Sequence, residues 1–290
     1  MTNKYERIKK MVSVLQNNLC RKQIQVTDIM YAHTDYKTNN DLPDKSALVP
    51  FNYGIWGGVP DDHYWFRAEV DVESVPECTA ELLVTTGYDG WNECNPQVVC
   101  YVDGIMTQAL DRFHTTMNID VGHHVLYFYA YTGMRLTLKL DFKLTLRYVD
   151  KYAERLYYDL VVPTEALDFM QENEKPYFDT IDYLNKALCL VDFMNVGNST
   201  FFDTCKVAAN YFEHEFYDTY CKIGDTKVAC VGHTHIDIAW LWSVRQTREK
   251  AQRSFATVLH LMDKYPDYKF TSSQCYSVSY THLTLPTIRL

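Results

Sequence analysis

The chain has 290 residues, 47% of them hydrophobic, and a formal net charge of −9. This length allows two domains with ordinary cores. The negative charge argues against nucleic-acid or membrane-surface partners, because both favour a basic face. No apolar run approaches the roughly 18–20 residues of a membrane span. The N-terminus lacks the apolar core of a signal peptide, and the nine cysteines show no metal or redox spacing. Together these features predict reduced thiols and a cytoplasmic location.

The first sixty residues begin with a predicted helix. Apolar residues recur there at helical spacing, at Ile8, Met11, Val12 and Leu15. Residues 20–60 show a mixed pattern without a clear period, so 1–60 is interpreted as an N-terminal helix and an extended segment.

From His63 onward the apolar residues recur at every second position, which is typical of strands. Asp103-Gly104 stands between two such runs and is a strong hairpin signal. Residues 135–147 alternate strictly, with one face wholly apolar and the other wholly polar. One face of this strand should therefore meet a core and the other should meet water. The pattern predicts an antiparallel β-sandwich over 61–150.

The C-terminal half changes period again. Residues 151–225 carry helical spacing and predict a helical connector. A short buried strand is then predicted at Val228–Val231. A helix is predicted at Thr247–Lys264, and its apolar face carries Phe255, Val258, Leu259 and Met262. With a second strand in YKFTSS, this order makes a βαβ unit, and 226–277 is interpreted as the truncated start of a parallel α/β domain.

The stretch GHTHIDIAW (232–240) follows the predicted strand at 228–231 and concentrates polar side chains. His235 and Asp237 are two residues apart, so in an extended chain both point to the same side. A mixed nitrogen and oxygen donor set suits zinc and other first-row metals. The carboxyl end of a strand is also where α/β folds place their sites. The residues alone leave open a second interpretation, in which His233 and His235 simply bond the backbone at a strand end.

From Lys227 to Gln274 the sequence resembles the opening of the catalytic domain of glycoside hydrolase family 38, the α-mannosidases. The run H-T-H-I-D-x-A-W-L-W most resembles the cytosolic, lysosome- and vacuole-delivered branch rather than the Golgi branch. That branch carries a β-sandwich and a helical region before the catalytic domain. Trp65–Arg67 and the stretch from Val102 to His114 are also similar to it. The expected fold class is therefore multidomain: an antiparallel β-sandwich, a helical connector and a truncated α/β catalytic domain.

The resemblance implies roles for individual residues. His235 and Asp237 would be two of four zinc ligands, and Trp240 would pack against the mannose ring. His233 would support the site at most, without binding metal. The implied reaction is retaining hydrolysis of mannose-containing oligosaccharides by two carboxyl groups, with zinc holding the 2- and 3-hydroxyls of mannose. No catalytic residue is assigned, because the family's nucleophile and acid/base are expected beyond the end of this chain. The zinc site is thus expected to be incomplete and the fragment inactive alone.

The last thirteen residues, VSYTHLTLPTIRL (278–290), are expected to be non-biological. Their first ten residues correspond to the codons GTC TCT TAT ACA CAT CTG ACG CTG CCG ACG, which resemble a transposon-derived sequencing adapter. His282 is for this reason not counted as a metal ligand, and the segment is excluded from the fold.

Two other functions remain open from the sequence. The first is a metal-dependent amidohydrolase or phosphoesterase, in which an H-x-H pair also ends the first strand. The second is a non-catalytic carbohydrate-binding or assembly module, with Trp65, Tyr88 or Trp91 stacking on sugars. For the sandwich itself, packing on the catalytic domain is favoured, where it would shape the substrate entrance or an oligomer interface. Whether the protein forms a homo-oligomer is left open.

Overall fold

The computed structural model describes residues 2–35, 41–52, 56–86, 96–134, 139–221, 228–240 and 242–273. Its strands are β1 (Cys20–Val26), β2 (Met30–Thr34), β3 (Val49–Pro50), β4 (Trp56–Gly57), β5 (His63–Val72), β6 (Cys78–Thr85), β7 (Gln97–Val102), β8 (Ile105–Leu110), β9 (Thr116–Asn118), β10 (Gly122–Tyr131), β11 (Lys139–Leu140), β12 (Lys143–Asp150), β13 (Gly232–Thr234) and β14 (Phe270–Ser272). Its α-helices are α1 (Thr2–Gln16), α2 (Lys151–Ala166), α3 (Lys175–Leu190), α4 (Ser199–Phe212) and α5 (Val244–Lys264).

Two antiparallel sheets form the predicted sandwich. One has the order β3-β2-β5-β10-β7-β8 and the other β1-β12-β6-β9. Alternate residues of both sheets meet in one core, to which Phe66, Phe128, Leu82 and Leu146 all belong. Period-two alternation produces this arrangement, because successive side chains of a strand point to opposite faces.

Over the described residues the hairpin signal and the alternating burial of residues 139–147 are confirmed, but the single long strand is not. Asp103 and Gly104 join β7 to β8 with positive φ angles of 52° and 85°, as a two-residue hairpin turn requires. Leu140, Phe142, Leu144 and Leu146 are fully buried. The alternating segment divides into β11 and β12, and its residues 135–138 lie outside the described ranges.

The sheets begin before residue 61, where the sandwich was predicted to start. Strand β1 pairs with β12, and β2 pairs with β5. Both strands therefore belong to the sandwich rather than to a separate extended segment. Their sequence gives little signal, because β1 (CRKQIQV) exposes most of its polar side chains and carries few apolar residues.

Helices α1 to α4 share a second core. It includes Ile8 and Leu15 from α1, Leu156 from α2, Leu184 from α3 and Phe212 from α4. The predicted helical connector is present, and the N-terminal helix packs into it despite its distance in sequence. Within the described ranges, no helix has the length and apolar character needed to cross a membrane.

The predicted βαβ order is present in β13, α5 and β14, and the two strands are parallel. The strand predicted at Val228–Val231 is wrong, because pairing covers only Gly232–Thr234. Val228 is 77% exposed rather than buried. Strand β14 pairs with only three residues of β13, and within the described chain no strand pairs with the other edge of β13.

Candidate functional site

The motif 232–240 begins with β13, and from the carboxyl end of this strand a short loop leads to α5. Gly232 starts the strand with a hydrogen bond from its nitrogen to the Lys269 carbonyl, 2.8 Å away. A Cβ at this position would lie 2.1 Å from the Tyr268 hydroxyl, so a larger residue here would force the Tyr268 side chain to move. Ser243 caps α5 by accepting a hydrogen bond from the Gln246 nitrogen.

Thr247, in the first turn of α5, holds the loop in place. Its Oγ1 accepts hydrogen bonds from the Ala239 nitrogen and the Trp242 Nε1, each at 3.2 Å. It also lies 3.3 Å from the Asp237 carbonyl. Ala239 has a φ of 52°, a conformation that non-glycine residues rarely adopt. Thr247 was not identified from the sequence, where only its place at the start of a helix was visible.

His235 and Asp237 lie together, as their spacing predicts. The His235 Nε2 is 3.0 Å from the Asp237 Oδ1, and both side chains are about half exposed. At zinc bond lengths near 2.0–2.2 Å, two donors of a tetrahedral ion lie about 3.3 Å apart. The observed separation is compatible with two corners of a zinc site, and it is also the distance of a direct hydrogen bond between His235 and Asp237. Among the described residues, no group of three His, Cys, Asp or Glu side chains could hold a metal ion.

Ser273 connects the two histidines of the motif. Its Oγ is 3.1 Å from the His233 Nε2 and 3.3 Å from the His235 Nδ1. Ser273 directly follows β14, so its position comes from the parallel pairing of β14 with β13. Ser273 was not identified from the sequence. The rule that carboxyl ends of neighbouring parallel strands share an edge could have found it.

Trp240 is 68% exposed and packs edge to face against Trp242, with ring centroids 5.8 Å apart. The Lys250 ammonium lies 4.1 Å from the centre of the Trp242 ring. Trp240 thus presents an aromatic surface to solvent, and in the sequence it follows the His235–Asp237 pair closely. Of the other aromatic candidates, Trp65 is buried against Tyr101 and Tyr129 and offers no surface for a sugar. Tyr88 and Trp91 lie outside the described residues.

A cleft of about 360 Å³ lies between the motif and the sandwich. This size is at the lower end of ligand pockets, which span roughly 300–1,000 Å³. His233, His235 and Trp242 line it from the βαβ unit, and Asp111 and His114 line it from the sandwich. Asp237 and Trp240 are not among its lining residues.

Helix α5 packs its polar face, rather than its apolar face, against the sandwich. The buried side chains of the helix are Gln246, Glu249 and Arg253. The face predicted to be core is only partly buried: Phe255 packs edge to face against Phe270 and Val258 lines the cleft, whereas Leu259 is 59% exposed. The prediction failed for the rest of this face because within the described chain α5 packs mainly on β8, next to polar sandwich residues.

Asp61 anchors the start of α5. It accepts hydrogen bonds from the Arg245 guanidinium at 2.7 and 2.8 Å and from the Gln246 amide at 2.9 Å. Burial alone would raise the pKa of Asp61, but hydrogen bonds from Arg245, Tyr131 and Gln246 outweigh it and hold the pKa below its usual value. His63, on the neighbouring strand, is buried, and burial lowers its pKa to about 4. The junction between the sandwich and the helix therefore holds a charged carboxylate at Asp61 and an uncharged imidazole at His63.

One comparison with known proteins concerns the part of the chain that contains the motif. Residues 225–287 match the family model described as the glycosyl hydrolases family 38 N-terminal domain. The matched range extends into 278–290, which lies outside the described residues. The origin of that segment stays a prediction.

The chain is also similar to named α-mannosidases. It is 39% identical over 97 residues to α-mannosidase G of Dictyostelium discoideum, covering 33% of this chain and 9% of that protein. It is 49% identical over 49 residues to α-mannosidase of Saccharomyces cerevisiae, covering 17% and 4%. It is 37% identical over 59 residues to human α-mannosidase 2C1, covering 20% and 6%. The aligned parts thus span less than a tenth of each of these relatives.

Among solved structures, a β-glucuronidase of an uncultured Clostridium sp. superposes with a TM-score of 0.32 and 10% identity, over 46% of this chain and 30% of that one. A likeness this weak carries no argument about function. The family match and the named relatives confirm the resemblance seen in the motif: residues 225–287 match the family 38 glycosyl hydrolases, and the chain is similar to the α-mannosidases.

Proposed function

We propose that this chain contributes half of the metal site of a zinc-dependent retaining α-mannosidase. The observation that carries the proposal is the His235–Asp237 pair, whose donor atoms lie 3.0 Å apart at the carboxyl end of β13. An amidohydrolase or phosphoesterase would share the H-x-H pattern, but the family match and the named relatives favour the mannosidase.

The chain's own residues would bind and orient. His235 Nε2 and Asp237 Oδ1 would hold the ion, and Ser273 would position the imidazole through its Nδ1. When bound, zinc would supply charge and a template for the adjacent 2- and 3-hydroxyls of mannose. Trp240, exposed at the end of the motif, would pack on the sugar ring.

Retaining hydrolysis requires two carboxyl groups about 5–5.5 Å apart, one as nucleophile and one as acid/base. No described carboxylate is assigned either role, and we propose that both groups lie outside these 290 residues. The chain alone would then be inactive. A cytoplasmic location is proposed as well, supported by the free thiols of the seven described cysteines, which suit a reducing compartment.

Zinc titration of the 290-residue chain tests the metal site. We expect weak binding of a single Zn²⁺, because stable sites use three or four protein ligands. His235→Ala and Asp237→Ala should each weaken it at least about tenfold, as even the loss of an outer partner costs 10–100-fold. The matched control is His123→Ala, which removes an exposed histidine of the sandwich, away from the motif, and should leave the affinity unchanged. An equal loss in all three variants would contradict the assignment.

Activity of the product of the uninterrupted gene tests the reaction. It should hydrolyse an aryl α-mannoside, lose that activity when a chelator removes zinc, and regain it when zinc is restored. His235→Ala in that protein should lower kcat/KM at least about a hundredfold. Loss of a group that only orients a metal ligand costs up to about a hundredfold in activity, and loss of the ligand itself should cost at least as much. A full-length product that binds α-mannosides without hydrolysing them would instead indicate a carbohydrate-binding module.

A further inference from the structure

The turn that follows β8 brings a histidine–aspartate pair into the cleft beside the motif. Asp111 and His114 line the same cleft as His233 and His235. The sandwich therefore contributes polar side chains to this space, although more than a hundred residues separate the two parts of the chain.

The turn is built around the Asp111 carboxylate. Its Oδ1 accepts hydrogen bonds from the Phe113 nitrogen at 2.8 Å and the His114 nitrogen at 3.0 Å. The same oxygen lies 2.9 Å from the His114 Nδ1. With Nδ1 engaged, Nε2 is the ring nitrogen through which His114 can bond a ligand. The imidazole is 60% exposed, so a ligand in the cleft can reach it.

The turn is also held in place against the βαβ unit. The Ala109 nitrogen, in β8, donates to the Thr257 Oγ1 of α5 at 3.1 Å. Beside this contact, the Arg253 guanidinium donates to the side-chain oxygen of Gln97. These bonds join the strands on either side of the Asp103-Gly104 hairpin to α5, the helix that follows the motif.

His114 would act on the ligand by hydrogen bonding rather than by binding the metal. Within the described chain it does not join His235 and Asp237 in a group that could hold an ion. Of that pair His235 lines the cleft and Asp237 does not, so a mannose held there would lie at one side of the cleft and leave the sandwich side to the next sugar of an oligosaccharide. Hydroxyl groups of a sugar are natural partners for an imidazole nitrogen that can accept or donate a hydrogen bond.

We propose that His114, positioned by Asp111, binds a hydroxyl of the sugar next to the mannose that is cleaved. The sandwich would then help to select oligosaccharides over single mannosides. This inference rests on the proposed function, since it takes the His235–Asp237 pair as the place of the cleaved mannose.

The test is an NMR titration of the 290-residue chain with methyl α-mannoside and with α-linked mannobioses, in excess Zn²⁺. We expect at least one mannobiose to bind more tightly than the monosaccharide. His114→Ala should weaken that mannobiose about three- to tenfold, the value of one hydrogen bond, and leave methyl α-mannoside unchanged. His114→Gln should restore part of the loss, because its amide can still bond a hydroxyl.

The matched control is His123→Ala. It removes another exposed imidazole of the sandwich, which is paired with Asp71 at 2.8 Å and does not line the cleft. It should change neither affinity. Equal weakening of both ligands by His114→Ala, no weakening, or no preference for any mannobiose would each overturn the inference. If zinc still binds through His235 in that case, the proposed function stands. Mannobiose binding through His114 without zinc binding would instead count against the metal site alone.

Discussion

Replacing Phe142 with alanine is expected to destabilise the sandwich by about 3–5 kcal/mol, the usual cost of removing a buried phenylalanine. The ring is fully buried between the two sheets. It stacks on Phe66 at a centroid distance of 4.0 Å and meets the edge of Phe128 at 5.4 Å. Alanine would leave a cavity that a β-sandwich core, held by paired strands, closes only in part. Urea unfolding followed by tryptophan fluorescence measures the change, since Trp56 lies in the same core.

The control for this substitution is Phe169→Ala, at a side chain that is 91% exposed. It should change the free energy of unfolding by less than about 0.5 kcal/mol. Phe142→Leu should recover a large part of the loss, because it refills most of the cavity. A loss below about 1 kcal/mol in Phe142→Ala would show that the two sheets do not meet at this ring.

Replacing Arg253 with alanine is expected to release α5 from the sandwich. Glu249 is only 1% exposed, and the Arg253 guanidinium lies 3.6 Å from its Oε2. Burial raises the pKa of Glu249 even though Arg253 opposes the shift. Removing one partner of a buried ion pair leaves the other charge uncompensated and costs about 3–5 kcal/mol. Faster hydrogen exchange of the α5 amides, with unchanged exchange in β5 and β10, would report this release.

Two further variants separate the buried charge from general damage to the helix. Arg248→Ala removes an exposed arginine of the same helix and should leave the exchange of α5 unchanged. The double variant Glu249→Gln with Arg253→Met removes both charges and should hold the helix better than Arg253→Ala alone. If Arg248→Ala and Arg253→Ala act alike, α5 is not held by its polar face.

Much of the fold could be predicted because its signals are local. The alternation along β12 and the Asp103-Gly104 turn each reflect a few consecutive residues. The position of β1 and β2 could not be predicted, because their pairing with β12 and β5 depends on distant residues. For the candidate site, the spacing of His235 and Asp237 predicted their contact. The sequence offered no comparable signal for Thr247, which reaches the motif through the helix that follows it. Ser273 could be placed only by the rule that the carboxyl ends of neighbouring parallel strands share an edge.

The sequence by itself determined the strands with period two, the helical segments and the family resemblance of the motif, because all three depend on residues that are close together in the chain. Only the tertiary structure decided which face of α5 is buried. An apolar stripe shows that a helix can bury that face, but the surface that meets it decides what is buried. Here Asp61 accepts hydrogen bonds from Arg245 and Gln246. Gln97 accepts one from Arg253, whose guanidinium also faces Glu249, so the polar face packs inward. The tertiary structure also decided that Asp111 and His114 share a cleft with His235, since folding alone joins positions so far apart in the chain.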